Sequence, residues 1–216
     1  MLGLYKHKIM KRLLVLLCFF GICQTAFTQI KPIYFMGEVI TRDSTKATSY
    51  AIYGKLSSEE LWTIKRFDLY NNLIMTGTYK DVDLKTPHGK FTYYGDVDMF
   101  NNQYDTFYYF KDRYRFTSQM GNFIDGKKTG VWLSFYPDGK VLTSEVFVDN
   151  VLNGLYSSYD RKGKMISTGN YVNGKMHGEW LLHGGLQKDI YDLGSLKSSV
   201  KDKKLLRREY GSPVFN

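Results

Sequence analysis

The sequence predicts an all-β chain: an elongated antiparallel β-meander sheet built from short hairpin repeats. Three observations carry that reading. Aromatic residues make up 16% of the 216 residues, with 18 Tyr and 14 Phe against 4 Pro, a mix that favours strands over helices. Three segments align without a gap at a fixed spacing: GNFIDGKKTGVWLSFYPDGKVLTS (121–144), EVFVDNVLNGLYSSYDRKGKMIST (145–168) and GNYVNGKMHGEWLLHGGLQKDIYD (169–192). Asp125-Gly126, Asp138-Gly139 and Asn173-Gly174 then punctuate each unit with dipeptides that tolerate positive φ and mark hairpin turns.

The elements follow in chain order. Residues 1–28 read as a signal peptide, with Lys6, Lys8, Lys11 and Arg12 preceding an apolar run from Leu13 to Cys23. That run is shorter than the ~20 residues a membrane-spanning helix needs. Cleavage is expected after Thr28, with Ala26 as the alternative, and Met10 could serve as the start instead of Met1. Residues 29–76 form a degenerate β region in which Ser57-Ser58-Glu59-Glu60 reads as a turn between two strands. Residues 77–194 hold the repeats, beginning with a looser copy whose Tyr79, Gly89 and Phe91 fall in the aromatic, glycine and aromatic columns. The third full copy decays after Trp180. From Ser195 onward the chain reads as a basic tail, with an amphipathic stretch from Asp202 to Tyr210.

Charge narrows the function classes. The formal net charge is +9, but the excess sits in the leader and in Lys197, Lys201, Lys203, Lys204, Arg207 and Arg208 of the tail. The near-neutral body does not fit a nucleic-acid partner. Both cysteines, Cys18 and Cys23, fall in the leader, so an exported chain would be stabilised by packing and sheet hydrogen bonds without disulfides.

Alternation places Trp132, Ser134 and Tyr136 on one sheet face. Stacking the units is expected to align Trp132, Tyr156 and Trp180 in one row, and Phe123, Phe147 and Tyr171 in a second row available for interaction. Gly126, Gly139, Gly163 and Gly174 are read as turn residues. Gly130, Gly154 and Gly178 open strands, where a glycine permits a bend or leaves room for a neighbouring ring.

The columns G-x-F/Y-x-x-G-K-x-x-G-x-W-x-x-Y-x-x-x-G-K resemble the MORN repeat in its bacterial variant form. The match is strong over 121–182, moderate over 77–95 and weak over 30–76. The resemblance implies gently twisted sheets and a scaffolding or protein-contact role. Some relatives are antitoxin-like, and others are linked to phospholipid.

No residue is nominated for catalysis. His177, inside Gly174-Lys-Met-His-Gly-Glu-Trp180, shares its column with His88, Thr129 and Asn153, which reads as a polar turn position and not as an acid, base or ligand. His183 has no partners at zinc spacing. The loop GDVDMFNNQYD is rich in oxygen donors but lacks the glycine and terminal glutamate of a calcium loop, so it reads as a polar turn. No cofactor or metal is expected. The expectation is an exported, non-enzymatic repeat protein, periplasmic, outer-membrane-associated or extracellular, that meets a protein partner. The alternatives are an antitoxin or immunity-like role, or a glycan- or anionic-lipid-binding surface.

Overall fold

The computed structural model describes residues 32–55, 59–204 and 208. The leader and its cleavage site, Ser57-Ser58 and most of the amphipathic stretch of the tail lie outside the described residues.

Among the described residues, fourteen antiparallel strands form one open sheet. They are β1 Ile33–Met36, β2 Val39–Thr41, β3 Ser49–Gly54, β4 Trp62–Asp68, β5 Leu73–Tyr79, β6 Gly89–Asp96, β7 Arg115–Ile124, β8 Lys127–Phe135, β9 Val141–Val148, β10 Val151–Tyr159, β11 Met165–Val172, β12 Lys175–Leu182, β13 Gln187–Asp192 and β14 Ser195–Lys201. From β3 to β14 each strand pairs with the next in sequence, and β1 sits between β3 and β2, which forms the edge. The all-β meander read from the sequence is the fold.

Two turn types alternate. One edge carries two-residue turns in which both residues have positive φ: Asp125-Gly126, Asp149-Asn150, Asn173-Gly174 and Leu193-Gly194. This is the type I′ geometry, whose twist matches that of the strands it joins. Each turn is tied to the preceding hairpin, because the backbone N–H groups of Gly126, Asn150, Gly174 and Gly194 donate to the carbonyls of Pro87, Lys128, Leu152 and Met176. The opposite edge carries longer turns, three of them with a single left-handed residue, while His183–Gly185 holds three in a row. At Tyr136–Lys140 and Asp160–Lys164 that residue is Gly139 and Gly163, and at Asp68–Asn72 it is Asn71. Asp160 accepts from the N–H groups of Lys162 and Lys164, as Asp68 does from Tyr70 and Asn72.

Three expectations are corrected. GDVDMFNNQYD is a helix, α1 Val97–Tyr104, and not a polar turn. Asp96 caps it by accepting from the N–H groups of Asp98 and Met99, and it buries Val97 and Phe100. The sequence missed it because only two apolar residues are needed to dock two helical turns. The repeat does not decay after Trp180 either. A shortened loop at His183–Gly185 moves the register forward, so Leu193-Gly194 takes the place of Asn173-Gly174 and Tyr191 opposes Gly178 as Tyr171 opposes Gly154. Finally, Ser195–Lys201, expected as part of a basic tail, is strand β14, paired along β13 and exposed along its length.

The main core is one-sided. Phe35, Ala51, Ile64, Met75, Phe91 and Trp132 are buried, with Phe123 and Phe147 packed against them. A second cluster of Val97, Phe100, Phe116 and Tyr136 seats α1 at the long-turn edge.

Candidate interaction surfaces

The residues singled out in the sequence build one aromatic face, and the rings interlock instead of standing in two rows. Phe91 contacts Phe123 edge-on at 4.8 Å between centroids, Phe123 contacts Trp132 at 5.1 Å, and Trp132 contacts Phe147 at 6.4 Å. The series resumes with Tyr156, Tyr171 and Trp180, whose mutual distances run from 5.1 to 5.9 Å. Such offset and edge-on pairs add about 0.5–1.5 kcal/mol beyond burial. Trp132 is 0% exposed, in a cluster packed by rings of its own sheet such as Tyr93, Phe123 and Phe147. Phe123, Phe147 and Tyr171, expected to be contact positions, are half-buried in this packing.

What buries the indoles is glycine, though at positions other than those expected. A Cβ built on Gly121 would overlap the Trp132 ring, one on Gly169 the Trp180 ring, and one on Gly77 the Phe91 ring. The rings lie flat on bare backbone, and both indole N–H groups donate sideways, to the carbonyls of Asn122 and Asn170 at 3.2 and 3.1 Å. Gly130 and Gly178 face open space but hold φ near +73° and +72°, so they supply the bend and not the room for a ring. At Gly154, φ is +133° and a Cβ would sit 2.9 Å from Val146.

Between the two ring series lie Lys128 and Glu145. Lys128 Nζ sits 4.2 Å above the Trp132 ring and 5.3 Å from that of Phe147. Burial pushes its pKa down, partly opposed by Glu145, and burial pushes Glu145 up, partly opposed by Lys128. The pair fills the gap left in the ladder where Glu145 stands in the column of Gly121 and Gly169.

The two histidines share a structural task. His88 Nδ1 lies 3.1 Å from Asp125 Oδ1, and the N–H of Leu193 donates to His177 Nδ1 at 3.4 Å. Each ring thus reaches the type I′ turn of the next hairpin. Among the described residues, no group of three or more His, Cys, Asp or Glu gathers as metal ligands.

The reverse face is aliphatic. Strand register places Val131, Leu133 and Phe135 of β8, Val146 and Val148 of β9, and Val151 and Leu155 of β10 on it. Val131 is 52% exposed and Leu155 54%, with Ile124, Val148 and Val151 close behind. Across β8 to β10 the only charge on this face is Lys127, at its turn rim, where it pairs with Asp149 at 3.0 Å. The sequence shows these residues as ordinary strand alternation, so nothing in it distinguishes a bare face from a covered one.

A second exposed patch belongs to the segment between α1 and β7. Phe107 is 92% and Tyr109 85% exposed. Phe107, Tyr108, Asp138 and Arg161 line a shallow concavity, and the Tyr108 hydroxyl beneath it is buried without a hydrogen-bond partner. The sequence reading missed this patch, although the run Thr106-Phe-Tyr-Tyr-Phe110 marks it.

No protein-family model matches the chain, and no curated protein matches it. Among solved structures, the chain is similar to part of a point mutant of S. aureus TarM in complex with Fondaparinux, alpha-GlcNAc-glycerol and UDP. The identity is 16%, over 62% of this chain and 21% of that one, with a TM-score of 0.33. A second TarM structure is 17% identical over 70% of this chain and 21% of that one, with a TM-score of 0.26. The chain spans about a fifth of the length of these proteins, and likenesses this low carry no argument about its activity.

Proposed function

We propose that the chain is an exported, non-enzymatic protein-interaction module of the MORN-variant type, and that it binds through the aliphatic face. The observation that supports this most directly is the bare, uncharged field on β8 to β10, on a sheet whose other face closes itself. Exposed apolar fields of this extent on a soluble chain mark contact sites. The ladder of tied type I′ turns supplies the rigidity that a scaffold needs, because each hairpin is fixed to the one before it. The shifted groups Lys128 and Glu145 lie against rings of the ladder, which favours a packing role over chemistry.

Cross-linking in the native cells followed by mass spectrometry tests the reading. A partner captured by the wild-type chain should be lost from the variant carrying both Val131→Glu and Leu155→Glu. Capture that survives both substitutions removes the aliphatic face from the proposal. Fractionation of the same cells reports the compartment, and retention of the chain in the cytoplasm would overturn export.

A second reading rests on the concavity at Phe107. An exposed ring beside a carboxylate and a guanidinium suits a saccharide, stacked on the ring and hydrogen-bonded by Asp138 and Arg161. Titration with envelope oligosaccharides, followed by ring-proton shifts that vanish in Phe107→Ala, checks it.

A further inference from the structure

The aliphatic face has dimensions and a composition that point to a specific occupant. Strands β7 to β11 are 10, 9, 8, 9 and 8 residues long. At about 4.8 Å between strands and 3.4 Å per residue, β8 to β10 alone cover roughly 14 by 30 Å, and with Ile124 of β7 and Val172 of β11 on their flanks the face widens to roughly 24 by 30 Å, or about 700 Å². A standard stable interface buries about 800 Å² per partner, so the field is the size of one complete interface.

Its chemistry narrows the partner. Heterologous surfaces that come together and part are about as polar as the rest of a protein, whereas homodimer interfaces are more apolar. Here β8, β9 and β10 present Val131, Leu133, Val146, Val148, Val151 and Leu155, with Ser144 and Ser157 between them and a single charge at the rim. Charges that would orient a foreign partner appear only on the flanks. Register puts Lys65 and Lys90 on the β4 and β6 side, and Glu179 with Lys188, an ion pair, on the β12 and β13 side.

The apolar residues are also arranged about β9. Val131 on β8 and Leu155 on β10 are its counterparts on either side, equally exposed. A two-fold axis running along β9 in the plane of contact would set Val131 of one copy over Leu155 of the other, and β9 over itself. Two sheets of identical twist pack face to face at a small angle, about 10 Å apart.

We propose that the occupant of this face is a second copy of the chain, joined as a two-sheet sandwich with the aromatic faces outward. The inference rests on the reading of the aliphatic face as a contact surface and names its partner. An isologous contact of this kind closes on itself.

Sedimentation velocity of the purified full chain over a concentration series tests it. The expected species has twice the 25.1 kDa mass of the chain. The variant with both Val131→Glu and Leu155→Glu should dissociate at about a ten-thousandfold higher concentration, one tenfold step for each of the four carboxylates that the two copies bury without a partner. A thermal melt by circular dichroism accompanies each sample, and Val131→Ala with Leu155→Ala repeats the comparison should the glutamates unfold the chain. A wild-type chain that stays monomeric overturns the dimer. So does a dimer that the substitutions leave intact. The two proposals separate cleanly: a monomer whose cellular cross-links still vanish in the glutamate variant keeps the contact face and discards self-association. A chain that is monomeric and whose cross-links are unaffected discards both.

Discussion

The two faces of this sheet solve the same problem in opposite ways. Among the described residues, neither is covered by a second sheet, and only α1 packs on the aromatic side, at its long-turn edge. On the aromatic face, indole rings lie flat against glycine backbone and touch one another edge-on, so Trp132 is excluded from solvent without a second sheet. On the aliphatic face, branched side chains stand upright on the strands and cannot cover one another, so Val131 and Leu155 stay half-exposed. Ring size and the missing Cβ make the difference. A sheet can close one face with large planar groups over glycine, and the face built from smaller residues is left for a partner.

Perturbing the closed face should be most damaging. Gly121→Ala or Gly169→Ala drives a methyl into an indole, with loss of about 3 kcal/mol in denaturant unfolding. Trp180→Ala should cost about 3–5 kcal/mol. Val131→Ala on the open face of a chain held monomeric by dilution should cost under about 0.5 kcal/mol. Comparable midpoints for Gly121→Ala and Val131→Ala would abolish the distinction between the faces.

The bend glycines rank next. Gly130→Ala meets no atom, only a strained positive φ, so about 1 kcal/mol is expected, and less for Gly130→Asn because Asn tolerates that region. A larger loss at Gly130 than at Gly121 would show that conformation, and not ring clearance, limits the aromatic face. His88→Ala and His177→Ala should each cost about 0.5–1 kcal/mol in the same assay. Equal effects would tie both rings to one structural role, whereas a silent His177 would leave that role to His88 alone.

Acid gives the smallest and most local effect. Hydrogen bonds to the N–H groups of Lys164 and Lys162 hold Asp160 below its ordinary value of 3.8. At Asp68 burial pulls upward, and hydrogen bonds from Asn72 and Tyr70, with the Arg115 charge, outweigh it. A lowered folded pKa means stability that is present above about pH 4 and is lost as pH falls through the folded values. Urea midpoints should therefore drop on acidification, and Asp160→Asn should flatten part of that slope. An unchanged slope would show that these turns do not set acid stability.

Much of this architecture was legible beforehand for a physical reason. Positive φ at Asp125-Gly126 and Asn173-Gly174 is a local demand that short-range chemistry meets, so turns and strand alternation can be read from neighbouring residues. The helix at Val97 was hidden because two buried side chains suffice to dock it. The last hairpin was hidden because a shorter loop at His183 broke the spacing without breaking the pairing. As for the candidate surface, Phe107 and Tyr109 stand in a run of aromatics that a search for repeats and catalytic motifs passes over, and Val131 and Leu155 look like any alternating strand.

By itself, then, the amino-acid order determined the hairpin period, the turn positions and the alternation that sorts aromatic from aliphatic residues. Only the tertiary structure decided that Gly121 and Gly169 are the glycines beneath the indoles, since that depends on which residue lies across the ladder and not on which is adjacent in the chain. It also decided which face remains bare. Exposure is a property of what packs against a side chain, and a strand carries no local signal of whether its face will be covered.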